Sequence, residues 1–61
     1  MKTHKYTIEK AANIISIMHQ DYPVKTWFAS DFTERKLQNA MRKLEKEAAE
    51  YGMVAFFERN F

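Results

Sequence analysis

The residues best suited to chemistry lie between positions 35 and 46, in the stretch RKLQNAMRKLEK. Arg35, Gln38, Asn39, Arg42 and Lys46 fall on one side of a helix, with Lys36 and Lys43 flanking them. These side chains suit nucleic acid. Arg reaches guanine, Asn and Gln reach adenine, and Lys reaches phosphate. Five basic residues and one acid occupy positions 35–46, whereas positions 47–58 hold three acids and no base. Basic-first order opposes the helix macrodipole, but it suits a helix that turns its N-terminal half toward phosphates. The bland reading is a solvated face, with Lys43 and Glu47, and Lys46 and Glu50, as i,i+4 pairs.

Other reactive chemistry is sparse. There is no cysteine, so no disulfide or thiolate metal site is possible. One glycine excludes a Gly-rich phosphate loop, and neither Ser16 nor Ser30 sits in a nucleophile elbow. His4 falls near the N-terminus, and His19 stands two residues before Asp21. Two such residues are too few for a metal centre, which takes three or four convergent ligands. The expectation is a non-enzymatic protein with no cofactor and no metal.

Nine aromatics in 61 residues form the second signal. A two-helix monomer would struggle to bury them, so some should face a partner. Trp27, Phe56, Phe57 and Phe61 are the candidates for a protein interface, which would make the chain an inhibitor or regulator of another protein. A two-fold homodimer is expected as well, since it is the commonest assembly. Net charge is +2, a mild value that permits nucleic-acid binding without requiring it. No run approaches the roughly 18–20 apolar residues of a membrane span, and no signal peptide is evident. A cytoplasmic protein is expected.

The elements that position these groups follow from periodicity. Ile8, Ala11, Ala12, Ile15, Met18 and Tyr22 recur at helical steps, which predicts a helix over about 7–21 stopped by Pro23. Positions 24–28 read as a short strand or turn, with a short helix over 25–32 as the competing reading. Leu37, Ala40, Met41, Leu44, Ala48 and Tyr51 form a second stripe. With Asp31 and Glu34 as a capping box and Gly52 at C′, it predicts a helix over 32–51. A strand is expected near 53–58. The predicted fold is a single α+β domain built on two main helices.

IISIMHQ, then WFASDF, then ERKLQNAMRKLEKEAAEYGMVAFFERN is similar to a winged helix-turn-helix, over about residues 12–60. Leu44, Gly52, Val54, Phe56 and Arg59 carry the likeness to the end of a recognition helix, its turn and its wing. The resemblance implies a winged-helix-like fold and duplex DNA binding through Arg35, Gln38, Asn39 and Arg42, with Arg59 near the wing. The compact chain also looks like the small accessory proteins of bacteriophages and mobile elements.

Overall fold

The computed structural model describes residues 2–61. Its elements run β1 (Lys2–Ala11), β2 (Ile14–His19), β3 (Tyr22–Phe28), α1 (Glu34–Glu50) and β4 (Met53–Arg59). The strands form one mixed sheet in the order β3-β2-β1-β4. β1 and β2, and β2 and β3, pair antiparallel; β4 pairs parallel to β1. Helix α1 carries the chain from one sheet edge to the other and covers one face.

This corrects the expected two-helix, winged-helix-like architecture. The segment 7–21 holds the end of β1 and all of β2, joined by a hairpin, so the described residues form one helix and not two. The physical reason is a change of phase. Tyr6 and Ile8 point to the helix side from even positions of β1, while Ile15 and Ile17 do so from odd positions of β2; all four are buried. A two-residue turn, Ala12-Asn13, inverts the parity, and the resulting i, i+3, i+4 spacing imitates a helical stripe. Composition favoured the strand, because isoleucine is β-branched and fits a pleated surface.

Both hairpins turn on residues that usually avoid left-handed backbone. Ala11 pairs with Ile14 and His19 with Tyr22, leaving Ala12-Asn13 and Gln20-Asp21 as the loops. Ala12 has φ 54° and Gln20 has φ 57°. Two-residue hairpin loops favour positive φ because it matches strand twist, and glycine or asparagine normally supplies it. Neither loop carries that signature in its first position.

Segment 24–28 lies within β3, so it is a strand. It does not lie beside the C-terminal strand, since β3 and β4 occupy opposite edges. A bulge between Ile17 and Met18 leaves Val24 outside the regular pairing, and Pro23 lies in the same edge strand. Both features blunt an exposed edge.

Helix α1 starts later than the capping-box reading placed it. Thr33 is the N-cap, its Oγ1 accepting from the Lys36 backbone N–H at 3.1 Å. At the other end, Gly52 adopts φ 71° and its N–H donates to the Ala49 carbonyl at 3.0 Å. β4 follows directly.

The core between helix and sheet is small: Tyr6, Ile8, Ile15, Ile17 and Leu37, with Trp27, Phe32, Met41, Leu44 and Phe57 packed around them. Among the described residues, no layer covers the sheet's opposite face. Ile14, Phe28, Val54 and Phe56 are exposed there at 43, 64, 49 and 55%. Among the described residues, no helix is long and apolar enough to cross a membrane.

Candidate nucleic-acid interface

The helix is held to the sheet by its apolar stripe, so its opposite side must face outward. Leu37, Ala40, Met41, Leu44 and Ala48 take the inward positions. At 100° per residue, Arg35, Asn39, Arg42 and Lys46 then fall close to diametrically opposite, with Lys43 beside them. All five are exposed, as is Gln38 on the flank. Arg35 and Lys46 are eleven residues apart in the chain, about 16 Å along the axis at 1.5 Å per residue.

The expected i,i+4 neutralisation does not form. Among the described residues the ion pairs are Lys5–Glu58 at 3.2 Å and Arg59–Glu34 at 2.7 Å. None involves Arg35, Arg42, Lys43 or Lys46. Four cations thus stand on one surface with no carboxylate within pairing distance. Exposed and unpaired ammonium and guanidinium groups are free to meet an anionic polymer without first breaking an ion pair.

Arg59 is placed differently from the stripe. It sits at the end of β4, where both of its terminal nitrogens donate to the two carboxylate oxygens of Glu34 at 2.7 Å. Its guanidinium carbon also lies 4.4 Å from the Phe61 ring centroid. The Arg59 hydrogen bond holds the Glu34 carboxyl below its ordinary value, and the arginine is raised in turn.

The four aromatics considered for a protein interface do not share one surface. Phe57 stacks on Tyr6 with centroids 5.2 Å apart, inside the helix–sheet layer. Trp27 packs edge-on against Phe32 at 5.5 Å, and Phe32 against Phe61 at 6.2 Å. Phe56 alone of the four lies on the open sheet face. The aromatic richness is therefore partly a matter of filling a thin core.

One cluster escaped the sequence reading. His4 and His19 meet across the β1–β2 hairpin, Nε2 to Nε2 at 2.8 Å, beside the Tyr6 ring. His19 Nδ1 lies 3.2 Å from the Lys5 carbonyl oxygen, which only accepts, so that nitrogen carries a proton. A neutral His19 then accepts at Nε2 from His4 Nε2–H. Only the hairpin register brings these two residues together. Burial, with the Glu47 charge adding to it, raises the Tyr6 phenol above its ordinary value. No group of three or more His, Asp and Glu side chains among the described residues could hold a metal ion.

Comparison with protein-family models, with curated proteins and with solved structures finds no match to the chain.

Proposed function

We propose that the protein is a small, non-enzymatic DNA-binding protein that contacts the phosphate backbone of duplex DNA through the outer face of α1. The observation that carries this reading is the stripe Arg35, Arg42, Lys43 and Lys46, exposed and free of carboxylate partners. Gln38 and Asn39 lie among these cations and supply amide groups able to bond base edges. Phosphate contacts supply most of the affinity of such an interface, while base contacts supply its specificity.

Self-association belongs to the same reading. The uncovered sheet face bears Ile14, Phe28, Val54 and Phe56, and a second copy there leaves both cationic helices outward. Light scattering at high concentration checks this: a dimer is expected, and a strict monomer removes that part of the reading.

The binding reading is tested by electrophoretic shift of a duplex at low salt. Wild type shifts the duplex at micromolar protein, and Arg35→Ala/Arg42→Ala does not. Protein-interaction function through aromatics is the outcome favoured instead if wild type fails to shift DNA and a captured partner is lost with Phe56→Ala.

A further inference from the structure

Beside the stripe lies a cleft of about 680 Å³ between β3 and α1. Its apolar floor is Trp27, with Ala40 and Leu44 of the helix opposite. Its charged lining is Lys25, Lys36 and Lys43, against the single acid Glu47. Asn39 and Lys43 belong to both the cleft and the stripe, so the two surfaces are continuous.

We propose that this cleft receives an unstacked base of single-stranded DNA, with Trp27 as the stacking platform and Lys25 and Lys36 on the flanking phosphates. This deepens the DNA-binding reading and rests on it. The argument runs on the combination of groups. An indole face alone fits many apolar ligands, and lysines alone fit many anions. A flat ring joined to phosphates at both ends satisfies the two together, and base–aromatic stacking in a basic groove is how sequence-tolerant strand binding works. Duplex bases are already stacked on both faces, so only a single strand offers a ring to a recessed indole.

The details of the cleft agree. Trp27 is fixed by its edge contact with Phe32 at 5.5 Å, so the platform is preorganised. Lys25 Nζ lies 5.6 Å from the Trp27 ring centroid, over the surface a base would take. Lys25 is exposed and on a flexible stem, so it swings aside onto a phosphate when a base enters. Lys36 Nζ donates to the Asp31 carbonyl at 2.7 Å, which holds it at the rim with two protons still free.

Trp27 is the chain's one tryptophan, so its fluorescence reports on this site alone. The experiment titrates the protein with an oligothymidine and with a duplex of equal length. Oligothymidine is expected to quench Trp27 emission, and the duplex to bind without quenching. Lys25→Gln changes a residue of β3, away from the helix face. It should weaken oligothymidine several times more than it weakens the duplex. Trp27→Leu keeps apolar bulk under Phe32 and should lose on the order of tenfold for the single strand, the scale of one stacked base; circular dichroism confirms that each variant is folded. Duplex binding with no quenching by oligothymidine, or single-strand affinity untouched by these variants, overturns the cleft and leaves the stripe standing. Failure to bind either nucleic acid overturns both.

Discussion

Arg59 and Glu34 join the last residue of β4 to the first residue of α1, through two parallel hydrogen bonds of 2.7 Å. The pair closes the helix–sheet layer at the end where Phe32 and Phe61 pack. It also places a carboxylate in the first turn of α1, where the helix dipole favours one. Arg59 therefore clamps the fold, while the stripe on the far side of the helix remains unpaired.

The pH dependence of this clamp has a definite sign. Glu34 titrates lower in the folded protein than in the unfolded chain, because Arg59 bonds its charged form. The stability it contributes is present above the ordinary glutamate value and is lost as pH falls through the depressed folded value. Glu34→Gln should flatten that part of the acid unfolding curve, and so should Arg59→Met. Both groups are exposed, so added salt weakens the effect in wild type. Unaltered acid profiles in both variants would contradict the clamp.

Tyr6 gives the opposite limb. Its phenol is raised chiefly by burial, so the neutral form is favoured in the fold. Stability is full below the ordinary tyrosine value and falls as pH rises from there through the raised folded value. Tyr6→Phe keeps the ring stacked on Phe57 and should remove this alkaline loss. Chemical denaturation at neutral and at alkaline pH, compared between the two proteins, measures it.

The hairpin loops store strain that glycine would relieve. Left-handed backbone costs a non-glycine residue roughly 1–2 kcal/mol, and glycine costs roughly 0.5–1 kcal/mol in unfolded-chain entropy. Ala12→Gly and Gln20→Gly should each stabilise the protein by about 0.5 kcal/mol, read as a higher denaturant midpoint. A fall in midpoint for both would mean that the loops do not need positive φ.

The same two loops explain how much of the fold was legible. Helix α1 and strand β4 announced themselves, because Leu37 to Ala48 keeps one helical stripe and Gly52 ends it. The hairpins did not, because Ala12-Asn13 and Gln20-Asp21 lack the glycine that marks a tight turn. Without a visible turn, Ile8, Ile15 and Met18 fell on helical spacing, and two strands of alternating residues passed for one amphipathic helix. The cationic stripe was legible, since it needs only the helix. The cleft and the His4–His19 contact were not, since each depends on strand register: one brings Trp27 beside α1, the other sets two β strands side by side.

His4 and His19 make that register measurable. The Lys5 carbonyl fixes a proton on His19 Nδ1, so neutral His19 accepts from His4 at Nε2. Nitrogen-15 NMR at neutral pH should find the Nδ1–H tautomer for His19 and the Nε2–H tautomer for His4. Two Nε2–H tautomers at neutral pH would contradict this arrangement.

The central claim is that the unpaired face of α1 binds DNA through phosphates, and its most direct test is the salt dependence of duplex binding. Four cations neutralising about four phosphates give a slope of log affinity against log salt near −3.6, or about a hundredfold loss between roughly 50 and 200 mM. Fluorescence anisotropy of a labelled duplex should return that slope for wild type, and a slope shallower by about 0.9 for each of Arg35→Ala, Arg42→Ala and Lys46→Ala. No binding at micromolar protein in low salt, or a slope that these substitutions leave unchanged, would contradict it.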